Sequence, residues 1–201
     1  LTLPDGTLVW LNAGSRITYS QGFGVGNRKI ELIGEGYFEV KRNEEVPFLV
    51  KTNSLLVKVL GTKFNFRDYP DDAEAIVSLS EGKVALNNLL KKEKEAFLLP
   101  NERVVLNKKN GRMHVEYSTV SNALQWTNGY LFFDEELLPD VVKELERSYN
   151  VKIQIASDTL NTFRFYGNFV HREQNIQEVL EALSATRKIH YIIEGHNITL
   201  Y

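Results

Sequence analysis

Alternating apolar and polar positions dominate the first 117 residues, and the longest such run lies between residues 28 and 69. Gly34 and Gly36 interrupt its first strand, as glycines do at a bulge or where another backbone passes close. Short strands follow at close spacing, and no helical periodicity occurs before about residue 118. The pattern predicts an all-β sandwich or roll over residues 1–117.

Three short stretches carry more specific expectations. Between Leu55 and Leu60, apolar residues occupy both alternating sets of positions, which predicts a strand buried on both faces. The pair Glu81 and Gly82 lies between two strand-like segments and predicts a hairpin. Asn110–Gly111 suits the positive φ angles of a two-residue hairpin turn.

The pattern changes at Ser118. Residues 118–128 form a polar connector with a short helical turn, and beyond it the sequence repeats itself with an offset of 38 residues. Each copy carries apolar positions spaced i, i+3, i+4, i+7, which predicts amphipathic helices near 137–149 and 175–186. We therefore expect a small α+β domain over 129–201, βαββαββ in order, made of two βαβ units with parallel, right-handed pairing across each helix.

Composition narrows the functional classes. The formal net charge is -2 without a basic face, so the sequence predicts no nucleic-acid partner. The absence of cysteine excludes disulfides and thiolate chemistry. Neither a signal peptide nor a membrane span is evident, and because the chain starts at Leu1 within strand-like sequence, we expect a fragment whose targeting segment lies upstream.

Candidate catalytic and metal-binding residues are few. Glu35 and Glu39 lie about 13 Å apart along a strand, too far for a glycosidase pair, and are expected on its solvated outer face. The acidic stretch 134–136 precedes a helix, where the helix dipole favours acids over a calcium site. The four histidines show no metal-ligand spacing. The sequence predicts no enzyme, no cofactor and no metal site.

A second functional class stays open at this point. The aromatic residues Trp10, Tyr19, Phe23 and Tyr37 could stack on sugar rings, which would make the chain a periplasmic carbohydrate-binding module. Core packing is the favoured explanation of these residues. Only an exposed face shared by these side chains would favour the sugar site.

Several motifs in fixed order resemble the periplasmic region of FecR-family anti-sigma factors. In the first half they are DGTLVWLNAGSRITY (5–19), RKIELIGEGYFEV (28–40), PFLVKT (47–52) and VKVLGTKFNF (57–66). In the second half they are Trp126, Asn128, Gly129 and Phe133, then LLPDVVKELERSYNVKI, YGNF and IQEVLEALS. The second half is similar to the C-terminal domain of Bacteroidetes members, which is related to the short signalling domains of secretins and TonB-dependent receptors.

The resemblance implies a single-pass inner-membrane protein of which this chain is the periplasmic domain. It implies that the signalling domain of a TonB-dependent outer-membrane receptor binds the C-terminal region. The signal then passes to an extracytoplasmic-function sigma factor, bound by a cytoplasmic segment absent from this chain. Such a protein acts in signal transduction and transcription regulation through protein–protein interaction.

Two candidate sites follow. Some family members are cleaved at a Gly-Thr bond by attack of the threonine hydroxyl on the preceding carbonyl, which makes Gly61 and Thr62 a possible self-cleavage bond, although a simple strand break explains the pair as well. The predicted partner-binding site is the last strand, taken to be an open sheet edge. Its residues are Asn197, Ile198, Thr199, Leu200 and Tyr201, with Ile198 and Leu200 packing inward.

Overall fold

The computed structural model describes residues 1–118 and 124–201. The chain separates into two compact units, Leu1–Thr127 and Asn128–Tyr201. The boundary lies near the end of the predicted connector, of which residues 119–123 fall outside the described part of the chain. Each unit has a hydrophobic core of its own.

Within residues 1–118 and 124–127, the first unit is built from strands and contains no α-helix. Its strands are β1 (Leu8–Leu11), β2 (Arg16–Tyr19), β3 (Arg28–Glu39), β4 (Phe48–Lys51), β5 (Leu55–Val59), β6 (Lys63–Asp68), β7 (Glu74–Glu81), β8 (Val84–Asn88), β9 (Ala96–Leu98), β10 (Glu102–Asn107) and β11 (Met113–Tyr117). A 3₁₀ turn, Gln125–Asn128, follows the connector.

Strand β3 takes part in two groups of strands. Up to Ile33 it pairs with β2 in antiparallel and with β4 in parallel. From Gly34 onward it pairs with β1 and β6, both antiparallel. One group therefore runs β2-β3-β4-β5-β8-β9, and the other runs β1-β3-β6-β7-β10-β11.

The two groups of strands contribute to one core. Along β3, Ile30, Leu32 and Phe38 are at most 2% exposed. Phe38 stacks on Phe64 of β6 with ring centroids 5.1 Å apart, and Phe48 of β4 lies 6.3 Å from Phe38. Burying rings of this size supplies a large share of the hydrophobic stabilisation. The first half is thus all-β, as the sequence predicted.

A buried arginine fixes the start of β3. Arg28 is 4% exposed, and its guanidinium pairs with Asp5 at 3.2 Å. It also donates to the backbone carbonyls of Lys41, Asn43 and Val46, at distances of 2.6 to 3.2 Å. A buried cation needs such complete hydrogen bonding. The side chain therefore ties the loop between β3 and β4 back onto the beginning of β3.

Three local expectations for this unit are wrong. Strand β5 is buried on one face only, because Leu56 is half-buried and Leu60 is exposed. Strands β7 and β8 do not form a hairpin, since β7 pairs with β6 and β10 while β8 pairs with β5 and β9. The β10–β11 hairpin exists, but a loop of residues 108–111 closes it, and only Gly111 there has a positive φ.

The second unit contains both helices and strands. Its elements are β12 (Tyr130–Leu137), α1 (Leu138–Tyr149), β13 (Lys152–Ile155), a 3₁₀ turn (Asp158–Thr162), β14 (Arg164–Val170), α2 (Ile176–Ser184), β15 (Tyr191–Glu194) and β16 (Asn197–Leu200). A small α+β second half is what the sequence predicted. The buried stripes of both helices also agree with the periodicity, the members at most 6% exposed being Leu138, Val141, Val142, Leu145, Val179, Leu180 and Leu183.

The helix ends carry residues that favour helix termini. Asn175 and Glu178 form a capping box, in which each side chain accepts a hydrogen bond from the other residue's backbone N–H. Pro139 lies in the first turn of α1, where its missing N–H leaves no intrahelical bond unmade.

The predicted pairing across each helix is wrong. Strands β12 and β13 flank α1 but do not pair, and neither do β14 and β15, which flank α2. Instead β12 pairs with β14 in an antiparallel two-stranded sheet. Strand β13 pairs in parallel with β16, which also forms an antiparallel hairpin with β15. The two copies of the repeat exchange strands rather than forming separate βαβ units.

We predict that Gly34→Ala destabilises the first unit by about 3 kcal/mol, measured by urea unfolding. Gly34 has φ +98°, and a Cβ there would lie 2.4 Å from Ser15 Oγ and 2.9 Å from Ser15 Cα. The matched control is Gly26→Ala, because Gly26 has φ +81° with no atom within 4 Å of the added Cβ. It should cost only about 1 kcal/mol, and equal losses at the two positions would show that the contact with Ser15 is unimportant.

Candidate functional site

An open surface pocket of about 320 Å³ lies beside the Gly61–Thr62 bond. Half of the residues that line it are charged, and the full set is Gly6, Leu8, Glu39, Val40, Lys41, Arg42, Gly61, Thr62, Lys63 and Glu81. Both acidic and basic side chains line it, and Lys63 and Glu81 form an ion pair at 3.0 Å. The hydrogen bond and charge of Glu81 raise the pKa of Lys63 above its ordinary value.

Close packing explains the glycine of the Gly-Thr pair. A Cβ at Gly61 would lie 2.7 Å from Arg42 Cβ and 2.8 Å from Arg42 Cα. Gly61 does not have a positive φ, and no peptide bond between described residues is cis. Gly61 is therefore needed because a neighbouring segment passes against it, and the backbone there is not in the left-handed region.

The hydroxyl of Thr62 has a defined partner. Thr62 is 4% exposed, and its Oγ1 donates a hydrogen bond to the carbonyl oxygen of Lys83 at 3.1 Å. The bond joins the start of β6 to the turn before β8. This geometry gives the threonine a structural role in the turn, and attack on the Gly61 carbonyl would require that bond to be given up.

Glu35 is not on a solvated face, contrary to the sequence interpretation. It is 4% exposed, and its carboxylate accepts hydrogen bonds from Asn65 Nδ2 at 2.7 Å and Asn12 Nδ2 at 2.9 Å. Arg67 lies 3.5 Å from the same carboxylate. The pattern of alternation could not reveal this cluster, because alternation indicates which face a side chain takes but not whether another segment covers that face.

The aromatic residues do not form a shared exposed face. Trp10 packs against Tyr37 with centroids 5.5 Å apart, and Tyr19 packs against Phe23 at 5.1 Å. In each pair one ring is buried, since Tyr37 is 8% and Phe23 4% exposed. The condition for a sugar-stacking platform is not met. Among residues 1–118 and 124–201, no group of three or more potential ligands is arranged to hold a metal ion.

The last strand is not a sheet edge. Strand β16 lies in the middle of its three-stranded sheet, in the order β13-β16-β15. The site predicted at Asn197, Ile198, Thr199, Leu200 and Tyr201 therefore loses its physical basis, because both sides of this strand are already paired. Ile198 and Leu200 are buried, as expected. The C-terminal strand β16 lies between β13, with which it pairs in parallel, and β15, with which it pairs in antiparallel.

Three of the four edge strands of the second unit carry local protection. On β13, the N–H of Ile153 donates to Glu146 Oε1 at 2.9 Å, so this side chain occupies the edge. On β14, the N–H of Val170 donates to Gln174 Oε1 at 2.8 Å. On β12, the ladder shifts register at the acidic stretch 134–136, and Glu135 has φ +55°. Bulges and edge charges are common means of discouraging strand addition.

Strand β15 is the fourth edge. His190 and Tyr201 form two backbone hydrogen bonds with each other. In an antiparallel ladder, bonded and non-bonded pairs alternate, so Tyr191 and Ile193 are the residues of β15 whose backbone N–H and C=O groups point away from β16. Each presents one N–H and one C=O away from β16. Ile192 is 50% and Ile193 40% exposed. Among the described residues, this edge combines free backbone groups with exposed apolar side chains.

Comparison with known proteins gives the chain its family. The description "FecR protein" matches residues 1–85, and "FecR, C-terminal" matches residues 130–200. Two crystal structures of a candidate anti-sigma factor from Parabacteroides distasonis, at 1.65 and 2.50 Å resolution, each share 35% sequence identity and a TM-score of 0.89 with it. Each match covers 100% of this chain and 92% of the other. The chain belongs to the FecR family. No protein with a curated description matches it.

The FecR family is a family of anti-sigma regulators, and its members are not typically enzymes. Regulators of the FecR family are anchored in the membrane and act in the periplasm. In the described residues of this FecR chain, no helix has both the length and the apolar character that spanning a bilayer requires.

For the Gly61–Thr62 bond of this FecR chain, we expect a single full-length species after prolonged incubation at neutral pH, measured by intact-mass spectrometry. The reason is that the Thr62 hydroxyl donates to the Lys83 carbonyl and that Gly61 does not have a positive φ. Thr62→Ala should likewise give a single full-length species, at the mass of the variant. Two fragments that meet at this bond in wild type, and their absence in Thr62→Ala, would show self-cleavage.

Tyr37 donates a hydrogen bond from its hydroxyl to the pocket residue Glu39, and it makes the stability of the first unit fall at alkaline pH. Burial, and then the charge and hydrogen bond of Glu39, raise its pKa from 10.0 to about 12. Because the folded pKa lies above the unfolded one, the stabilisation is complete below pH 10 and is lost as pH rises to 12. Relative to Tyr37→Phe, wild-type stability should decline by no more than about 2 kcal/mol across that interval. Chemical denaturation at pH 9, 10, 11 and 12 measures it, and parallel curves would contradict it.

Proposed function

We propose that this chain is the periplasmic sensing region of a single-pass inner-membrane FecR regulator. In this proposal its second unit binds the N-terminal signalling domain of a TonB-dependent outer-membrane receptor. The signal passes through the membrane to a cytoplasmic segment that controls an extracytoplasmic-function sigma factor. The match of both halves to FecR descriptions and the likeness to a candidate anti-sigma factor support this role.

The observation that carries the proposal is the β15 edge. A receptor strand added there would meet four backbone groups, the N–H and C=O of Tyr191 and of Ile193. Each main-chain hydrogen bond contributes about 1 kcal/mol net, and specificity would come from side chains that pack beside Ile192 and Ile193. The same unit protects its other edges, which favours β15 as the docking edge.

The helix surfaces are weaker candidates for receptor binding. Lys143 pairs with Asp140 at 3.0 Å, and Gln177 donates to Glu181 at 3.1 Å. Arg147 lies 3.6 Å from Glu144 on the same helix. These charged side chains have local partners, so a docking protein would have to compete with contacts that already exist.

Ile193→Pro tests the edge directly. The N–H of Ile193 points away from β16, so proline removes a donor at the free edge and keeps the hydrogen bonds between β15 and β16. We expect at least a tenfold loss of affinity for the purified signalling domain of the matched TonB-dependent receptor, measured by calorimetry.

Asn168→Pro is the matched control. Asn168 lies on the β14 edge, and its N–H also points away from β12. This follows because His171 bonds to Gly129, and bonded and non-bonded pairs alternate along an antiparallel ladder from that point. Affinity should be unchanged, and circular dichroism should show both variants folded. If Ile193→Pro binds like wild type, β15 is the wrong surface, and the helix faces around Lys143, Arg147 and Glu181 come next. Proline at Thr199 would not be a clean test, because Thr199 lies in the central strand.

A further inference from the structure

The outer face of the first unit carries a buried polar row. Tyr37 of β3, Asn65 of β6 and Ser78 of β7 are direct neighbours across the three strands. They are 8%, 3% and 1% exposed. They lie on the side of the sheet away from the core residues Phe38 and Phe64, where water normally solvates polar side chains. Other parts of the molecule must therefore cover this face.

The connector supplies one covering group. Trp126 donates its indole N–H to Asn65 Oδ1 at 3.2 Å. The amide nitrogen of Asn65 in turn donates to Glu35 at 2.7 Å, and Asn12 donates to the same carboxylate. Both ends of the Asn65 amide are thus used, one as acceptor and the other as donor. An amide suits this position, because its oxygen can accept the indole N–H while its nitrogen donates to the carboxylate.

We propose that Trp126 is the anchor that docks the connector on the first unit, and that the polar row around Asn65 is its receiving site. The occupant of this surface is a segment of the same chain, Leu124–Thr127. Within that segment the N–H of Thr127 bonds to the Leu124 carbonyl at 3.1 Å, so the anchored indole sits on a closed turn.

Trp126 lies next to the boundary between the two units in the sequence. Thr127 is the last residue of the first unit, and Asn128 is the first residue of the second. The chain that enters the second unit therefore starts one residue after a fixed point on the first. The contact is one neutral hydrogen bond with a half-buried ring, and water can replace that bond when the ring leaves. The anchor is suited to release.

Distance measurements between spin labels test the anchor in the full chain. The sequence has no cysteine, so Lys58→Cys in β5 and Gln177→Cys in α2 give one exposed label site in each unit. We expect Trp126→Ala to broaden the distance distribution at least twofold, because the connector is no longer held. Tyr19→Ala, which removes a ring that packs on Phe23 beside the start of β3, should leave the width unchanged. An unchanged width in folded Trp126→Ala would overturn the proposal.

A second measurement identifies the acceptor. The chain has two tryptophans, so Trp10→Phe assigns the indole N–H signal of Trp126 in a nitrogen–proton NMR spectrum. In wild type this proton should exchange slowly with solvent. Asn65→Leu should speed its exchange at least tenfold, with folding checked by the dispersion of the amide signals. If Asn65→Leu is folded and keeps the slow exchange, Asn65 is not the group that holds Trp126.

Trp126→Phe covers the case in which Asn65→Leu does not fold, because this variant keeps a ring but has no N–H. It should broaden the spin-label distances as Trp126→Ala does. An unchanged width in Trp126→Phe would equally contradict the hydrogen bond.

Discussion

The first unit depends on a length constraint between β3 and the link that follows it. A straight strand from Arg28 to Glu39 would span about 36 Å. The link of residues 40–47 must bring the chain back so that Phe48 pairs with Arg28, and fully extended it would cover only about 30 Å. The link is also folded around the Arg28 guanidinium. The strand therefore has to bend, and it does so near Gly34, where its neighbours change from β2 and β4 to β1 and β6.

The sequence predicts those features of the fold that depend on local chemistry. The helical stripes, the Asn175–Glu178 capping box and the tight contact at Gly34 could all be read from residue types and spacing. The choice of pairing partners could not, because strands of similar composition compete for the same neighbours. Gly82 illustrates this. Its positive φ would fit a hairpin turn, but it equally fits the link from β7 to β8, which belong to different groups of strands.

The candidate sites show the same division. That Ile198 and Leu200 are buried follows from alternation, but whether their strand is an edge depends on where β13 pairs, which no local pattern records. Glu35 was expected in solvent because its strand alternates. It is buried in a cluster with Asn65, and Asn65 is contacted by a side chain 61 residues further along the sequence. Long-range cover of this kind leaves no periodic signal.

The unprotected β15 edge also bears on the behaviour of the isolated chain. Two copies can place their β15 strands antiparallel about a twofold axis, with each Tyr191 and Ile193 meeting backbone groups of the other copy. Such isologous pairing would cover Ile192 and Ile193 and occupy the backbone groups that the proposed receptor strand would use. Homodimerisation and receptor binding would then be mutually exclusive, and the total concentration of the chain would set the share of molecules open to the receptor.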